Sequence, residues 1–218
     1  MAKPNPVVQI PITWPQGTYG LTQTEGKHVC PSTPGFTWHT GWRKHDTEKR
    51  NDWSDGNHFV GPYWNNDMYD NFCMKHETKV TEYDWTWPDG QYCVYQAGSN
   101  CPSNLKSGAI FWDDKNTGHD DFGGHLPKGT YNHDTKMYFC CQDDGFTTKE
   151  IYLPTDSPFY LFPYIADHCQ KVAGMTASME FFWFDNENTS NDDYKFGYYP
   201  YSYGHKGHLI HYCYYTPK

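Results

Sequence analysis

The segment Trp14-Pro15-Gln16-Gly17-Thr18-Tyr19 recurs as Trp87-Pro88-Asp89-Gly90-Gln91-Tyr92 and as Leu126-Pro127-Lys128-Gly129-Thr130-Tyr131. Each copy reads large apolar residue, proline, polar residue, glycine, polar residue, tyrosine. Proline fixes φ at about −65° and glycine is favoured at the fourth position of a type I turn, so each copy predicts a turn. The tyrosine is a β-former, and it predicts a strand leading away from the turn. We expect the leading apolar side chain to pack beneath each corner.

The three copies are unevenly spaced, which is not the period of a solenoid. Short β-rich runs bounded by turn residues fill much of the remaining chain, and helical periodicity is almost absent. These runs are Val7–Ile12, Tyr92–Gln96, Ala109–Trp112, Lys136–Cys141, Glu150–Leu153, Phe159–Ile165, Met179–Phe184 and Leu209–Tyr215. The sequence therefore predicts a mostly β, single disulfide-rich antiparallel β-sandwich-like domain with long irregular loops and little helix. We expect residues 1–13 to be an N-terminal extension, residues 14–218 to be the domain, and Phe36–Asn71 to be a long loop layer pinned by Cys30 and Cys73.

The composition is unusually aromatic. The 218 residues include 9 Trp, 19 Tyr and 13 Phe, against only 19 Val, Ile and Leu residues taken together. The core must therefore be largely aromatic, and many rings must also lie at the surface, which Tyr and Trp tolerate because each has a polar group.

The formal net charge of −9, with scattered Lys and Arg, argues against a nucleic-acid binder and against a protein that docks on anionic membranes. No run of 18 apolar residues exists, so the sequence predicts no transmembrane segment.

The chain has eight cysteines, an even number, without the paired spacing of zinc ribbons. Four disulfides formed in an oxidising compartment are the favoured interpretation, and the pairing stays open. The side chains of adjacent residues in a strand point to opposite faces, so Cys140 and Cys141 should bond to two different partners. The candidate disulfide residues are Cys30, Cys73, Cys93, Cys101, Cys140, Cys141, Cys169 and Cys213.

The cysteines indicate secretion, although Met1 to Pro6 does not resemble a signal peptide. We expect that the natural leader has been replaced; a leaderless protein is the alternative. One glycosylation sequon, Asn188-Thr189-Ser190, is compatible with secretion.

Calcium is the only cofactor for which the sequence offers a candidate site. Asp114, Asn116 and Asp120 alternate around Gly118, and oxygen ligands spaced in this way can converge on Ca²⁺. The EF-hand spacing is incomplete, and the alternative is an Asx-rich solvated turn. A second acidic cluster, Asp185–Glu187 with Asn191–Asp193, is looser. No metal is required by any motif, and no zinc-enzyme spacing of histidines is present.

Two segments have the mixture of aromatic and polar residues that binds glycans, in which rings stack on sugar C–H groups. One contains Trp38 and Trp42, and the other, Phe196 to Tyr203, offers Tyr198, Tyr199, Tyr201 and Tyr203. The alternative is that these rings replace missing aliphatic residues in the core. No nucleophile elbow or free thiolate is expected, so we predict that the protein is not an enzyme.

Many short motifs resemble the C-terminal domain of apextrin, the ApeC family of secreted invertebrate proteins, in the family's order from Trp14 to Tyr215. They include Trp14 to Leu21, Gly41 to Glu48, Phe72 to Lys75, Trp87 to Cys93, Trp112 to Asp114, Leu126 to Tyr131, Phe139 to Cys141, Pro158 to Leu161 and Tyr212 to Tyr215. The eight cysteines are similar to the family's own eight.

The resemblance implies innate immunity or apical extracellular matrix, and some family members bind bacterial cell-wall material such as peptidoglycan. It supplies no catalytic motif and no ligand-contacting residue. We therefore predict a secreted recognition protein that binds bacterial cell-wall glycan or glycopeptide, of the peptidoglycan or muramyl dipeptide type, without catalysis. The alternatives are a structural or adhesive matrix protein that self-associates as a homo-oligomer and, less favoured, a cell-wall hydrolase.

Overall fold

A computed structural model describes residues 12–27, 29–186, 190–203 and 207–218. Within these ranges the secondary-structure elements are all β-strands. The described residues contain no helix that is long and apolar enough to cross a membrane. The strands are β1 (Tyr19–Thr22), β2 (His39–Asp46), β3 (Asp52–Trp53), β4 (Asp67–Lys75), β5 (Tyr92–Gln96), β6 (Lys106–Trp112), β7 (Asp121–Gly124), β8 (Gly129–Tyr131), β9 (Thr135–Gln142), β10 (Phe159–Pro163), β11 (Met175–Trp183), β12 (Tyr194–Gly197), β13 (Ser202–Tyr203) and β14 (Leu209–Pro217). The prediction of a mostly β, disulfide-rich antiparallel fold is confirmed.

The three repeated corners share one hydrogen bond. In each copy the tyrosine hydroxyl donates to the carbonyl oxygen of the proline four residues earlier: Tyr19 to Pro15 at 3.0 Å, Tyr92 to Pro88, and Tyr131 to Pro127 at 2.8 Å. Strands β1 and β5 begin at this tyrosine, whereas β8 ends at it. Trp14 and Trp87 are buried, as predicted for side chains beneath a corner, and Leu126 is partly buried.

Strand β5 is the centre of the sheet. One of its edges pairs with β9, and the other is shared between β10 and β1. From this shared edge the sheet continues along two paths, one through β10, β14 and β11 and the other through β1, β4, β2 and β7. A branch runs from β9 to β6 and then to β12. All strand pairings among the described residues are antiparallel.

The central strands are buried on both faces. Along β5, Cys93 and Tyr95 belong to one core cluster, whereas Tyr92 and Val94 belong to the other. The same alternation continues along β10, where Tyr160 and Phe162 lie opposite Phe159 and Leu161. Aromatic residues make up most of the cluster that contains Tyr95, as the composition predicts, whereas the cluster that contains Tyr92 has more aliphatic residues and cysteines than rings.

All eight cysteines are paired: Cys30 with Cys73, Cys93 with Cys141, Cys101 with Cys140, and Cys169 with Cys213. Cys140 and Cys141 therefore bond to different partners, which confirms the prediction from their adjacency. Cys141 and Cys93 face one core, and Cys140 faces the other. The two disulfides fasten the same part of β9 on both of its faces.

Two predictions about the chain's local structure are wrong. Phe36–Asn71 is not a loop layer, because it contains β2, β3 and the first part of β4. Glu150–Leu153 is not a strand; only Ile151 forms an isolated bridge, to Val172. All but the last residue of the predicted strand Val7–Ile12 lies outside the described residues.

Candidate functional site

An exposed aromatic surface covers one face of the β12–β6–β9 branch. The register pairs Tyr194 with Phe111 and, on the neighbouring strand, Ala109 with Tyr138. Because side chains alternate along a strand, Phe111, Tyr138, Tyr194 and Phe196 lie on the same side. Tyr194 and Phe196 are each 43% exposed. We call these four residues the aromatic face.

The rings of the aromatic face pack against one another. Phe111 and Tyr194 are stacked, with ring centroids 4.7 Å apart and an interplanar angle of 14°. Tyr138 and Phe196 meet edge to face at 6.1 Å. Rings held by their neighbours lose little freedom when a ligand binds, so the face is preorganised for contact with a flat apolar partner.

Two lysines add positive charge to this face. The Nζ atom of Lys136 lies 5.0 Å from the ring centroid of Phe196 and 5.3 Å from that of Tyr138. Lys128 Nζ lies 4.5 Å from the centroid of Tyr138. Burial acts to lower the pKa of Lys136, but its contacts with Tyr138 and Tyr194 raise that pKa overall. The lysine therefore stays charged at neutral pH.

The loop after β12, which follows Phe196 in the sequence, lines a pocket of about 310 Å³. Its lining residues are Tyr164, Ile165, Gly197, Tyr199, Tyr201 and Ser202. Gly108 allows the loop to lie close to β6, because a Cβ atom at this position would meet the backbone of Tyr198 at 2.2 Å. We call this cavity the loop pocket.

The four tyrosines predicted to bind a ligand differ in their surroundings. Tyr199 and Tyr201 line the loop pocket. Tyr198 stacks on Tyr164, with centroids 5.8 Å apart, and packs against the core. Tyr203 lies in β13 and is 70% exposed. The segment is therefore divided between pocket lining, packing and open surface.

Tyr164 and Ile165 also line a second cavity, of about 480 Å³. Its other walls include Gln91, Phe146 and His168. Phe146 is among the most exposed apolar side chains, at 75%. Tyr164 and Ile165 thus belong to the lining of both cavities.

The other predicted aromatic pair lies elsewhere. Trp38 packs edge to face on Trp14, with centroids 5.7 Å apart, at the border of a core cluster. Trp42 is half-buried beside Tyr69, at 5.8 Å. The structure does not bring Trp38 or Trp42 to the loop pocket.

A fully buried ionic network lies around Asp114. His45 contacts Asp114 through Nδ1 at 3.1 Å and Asp70 through Nε2 at 3.2 Å. Arg43 Nη2 donates to Asp114 at 3.4 Å, and Thr135 also donates to this carboxylate. Burial tends to lower the pKa of His45, but the two carboxylates raise it overall. These contacts are typical of a charge network that holds strands together.

Two of the predicted calcium ligands, Asp114 and Asp120, contact the same residue, Arg43. Asp114 is engaged in the buried network, and Asp120 lies 3.7 Å from Arg43. In the part of the chain that the structure describes, no three His, Cys, Asp or Glu side chains form a group that could hold a metal ion as they stand. Calcium binding stays a prediction, which calorimetry up to millimolar Ca²⁺ tests. The second acidic cluster lies partly outside the described residues.

Phe111, Tyr138, Tyr194 and Lys136 were not predicted from the sequence. The alternation of Lys136 and Tyr138 within one strand, and of Tyr194 and Phe196 within another, was the available signal. A strand pattern places residues on a face, but only the pairing of β12 with β6 and of β6 with β9 brings the faces together.

The described residues therefore define a disulfide-linked antiparallel β protein with an exposed aromatic face. The family ApeC, the C-terminal domain of apextrin, matches residues 14–215, so the chain belongs to this family. No curated protein and no solved structure matches.

Proposed function

We propose that this protein is a secreted innate-immune recognition protein that binds bacterial cell-wall glycan or glycopeptide without processing it. The observation that carries the proposal is the aromatic face, where four rings and a lysine lie on one side of three paired strands. Sugars present apolar C–H surfaces to aromatic rings, and a face of stacked rings offers this contact in advance of binding.

The charges beside the rings favour an acidic ligand. Lys128 and Lys136 lie at the aromatic face of a chain whose formal net charge is −9. Cell-wall glycopeptides carry carboxylates, and a lysine held near a ring can pair with one of them. The loop pocket, which follows Phe196 in the chain, could take a sugar or peptide branch.

Secretion is part of the proposal. Four disulfides persist in oxidising compartments and are rare in the reducing cytosol. Their presence in an ApeC domain supports an extracellular protein.

A matrix role is the second candidate. Strand β12 pairs only with β6 among the described residues, and an edge strand can add a strand from another molecule. Self-association without ligand, measured by light scattering at rising protein concentration, would favour this role.

The first experiment is retention of the oxidised protein on insoluble peptidoglycan, with chitin and cellulose as controls. We expect retention on peptidoglycan, loss of retention in the Tyr194→Ala/Phe196→Ala variant, and no loss in Tyr83→Ala. Tyr83 is a matched control because it is 58% exposed and lies outside the face. Retention on none of the polymers would refute the proposal, and clearing of a bacterial suspension would refute its non-catalytic part.

A further inference from the structure

Three histidines meet at one end of three neighbouring strands. His39 is the first residue of β2, His76 follows the last residue of β4, and His125 follows the last residue of β7. Both β4 and β7 pair with β2 in antiparallel register, so the start of β2 lies beside the ends of its two neighbours. The sheet topology therefore brings together three residues that are widely separated in the chain.

The backbone around His125 is fixed by close packing. Its N–H group donates to the carbonyl oxygen of Thr40 at 3.0 Å. A Cβ atom at Gly41 would lie 2.0 Å from the His125 carbonyl oxygen, so only glycine allows this approach. Gly124 turns the chain with a φ of 70°, in the left-handed region that favours glycine. The position of His125 over β2 is thus built into the sheet.

The three imidazole rings are mutually close. Their centroids are 4.5 Å apart for His39 and His125, 4.9 Å for His76 and His125, and 5.1 Å for His39 and His76. His76 and His125 are exposed, and His39 is half-buried. The Nε2 atom of His76 lies 3.0 Å from Nδ1 of His125, as in a hydrogen bond between the rings.

As they stand, the three rings do not form a group that could hold a metal ion, but their separations are close to those of three imidazoles around one. With Zn–N bonds of about 2.0–2.1 Å and tetrahedral angles, ligand nitrogens lie about 3.4 Å apart and ring centroids about 5.2 Å apart. The hydrogen-bonded pair must open by only about 0.4 Å to reach this nitrogen separation. Rotation of exposed side chains supplies such a shift without movement of the strands.

We propose that His39, His76 and His125 bind one divalent transition-metal ion of the class that imidazole prefers, such as Zn²⁺, Cu²⁺ or Ni²⁺. The ion replaces the hydrogen bond between His76 and His125 and draws the three rings around itself. Three imidazoles leave a fourth coordination position for water or for an atom of a bound ligand. The site is independent of the aromatic face, so neither proposal depends on the other.

The test is calorimetric titration of the metal-free oxidised protein with ZnCl₂, using protein that carries no polyhistidine tag. We expect one Zn²⁺ per chain, and binding weakened about tenfold or more in His76→Ala and in His125→Ala, because each removes one of three ligands. His168→Ala is the matched control, since its ring is 72% exposed and lies outside the cluster. We expect this variant to bind as the wild type does.

Cobalt is the second probe, because its visible absorption reports inner-shell coordination. We expect tetrahedral Co²⁺ absorption in the wild type and in His168→Ala, and none in a His76→Ala/His125→Ala variant. Equal Zn²⁺ affinity in the wild type and this double variant would overturn the proposal. Equal weakening in His168→Ala would overturn it as well, because it would show diffuse binding by surface histidines.

Discussion

Replacing Asp114 with asparagine tests how far the fold depends on its buried charges. The side chain is fully buried and accepts hydrogen bonds from Arg43, His45, Thr135 and Asn186. The asparagine would keep the volume of the side chain but remove its negative charge. The guanidinium of Arg43, itself fully buried, would then lie beside a neutral amide.

The expected cost follows from the loss of one partner of a buried ion pair. Removing such a partner costs about 3–5 kcal/mol when the remaining buried charge has no other partner. Arg43 keeps Asp120 at 3.7 Å and the amide retains one acceptor oxygen, so we expect a loss of about 3 kcal/mol, at the lower end of this range. An ion pair at the surface contributes about 1 kcal/mol or less, even at short distance.

Urea denaturation under non-reducing conditions measures this loss as a change in midpoint at constant slope. The matched control is Asp143→Asn, because the pair of Asp143 with Lys106 is shorter, at 2.7 Å, but exposed. We expect Asp114→Asn to destabilise the protein by several times more than Asp143→Asn. Equal losses in the two variants would refute the view that burial, rather than distance, decides the contribution.

The pH dependence of this network has a defined sign. The pKa of His45 is raised in the folded protein by Asp114 and Asp70, against the opposing effect of burial. The contribution of His45 to stability is therefore complete below its pKa in the unfolded chain, about 6.5, and is lost as the pH rises through its pKa in the folded protein. In Asp114→Asn this loss should become smaller, because one of the two carboxylates that raise the pKa is gone.

Three further predictions concern stability. Burial lowers the pKa of His208 to about 4. The free energy of unfolding should therefore fall by about 3 kcal/mol as the pH drops from about 6.5 to 4. Acid titration of the His208→Gln variant should show a smaller fall. Tyr19→Phe removes a buried corner hydrogen bond and should cost about 1–2 kcal/mol in urea denaturation; a cost no greater than that of Tyr203→Phe, an exposed control, would contradict this. Replacing Cys101 and Cys140 with serine should cost about 4 kcal/mol, because the bond closes a long loop, and an unchanged melting temperature would show that this disulfide contributes little.

The turns and most of the central strands were predictable from the sequence because their signals are local. Proline, glycine and tyrosine at fixed spacing specify the corners, and Tyr92–Gln96 was predicted with the bounds that β5 has. The opposite bonding of Cys140 and Cys141 follows from the alternation of side chains in any strand.

Strands β2 and β4 were missed because their buried residues are charged. Arg43 lies opposite Asp70 in the register of these two strands, and His45 lies two residues further along β2. Charged residues usually indicate exposure, so the sequence resembled a loop. Their burial depends on partners such as Asp114 that lie far away in the chain, and no local pattern reveals such partners.

The candidate site was predictable only in part. The loop with Tyr199 and Tyr201 was predicted, and it lines a pocket. Whether an aromatic side chain is exposed depends on the strand that covers it, so Trp38 could not be told from Tyr194 by residue type. The meeting of three histidines likewise depends on strand order, which spacing along the chain does not contain.

The most direct test of the binding proposal is the dissociation constant for a soluble peptidoglycan fragment, measured by calorimetry for the wild type and for Tyr194→Ala/Phe196→Ala. At about 1 kcal/mol for each ring, we expect the double variant to bind about 30-fold more weakly. The Tyr83→Ala control should bind as the wild type does. Equal affinity in the wild type and the double variant would contradict the assignment of binding to the aromatic face, and no heat with any of the proteins would contradict cell-wall recognition itself.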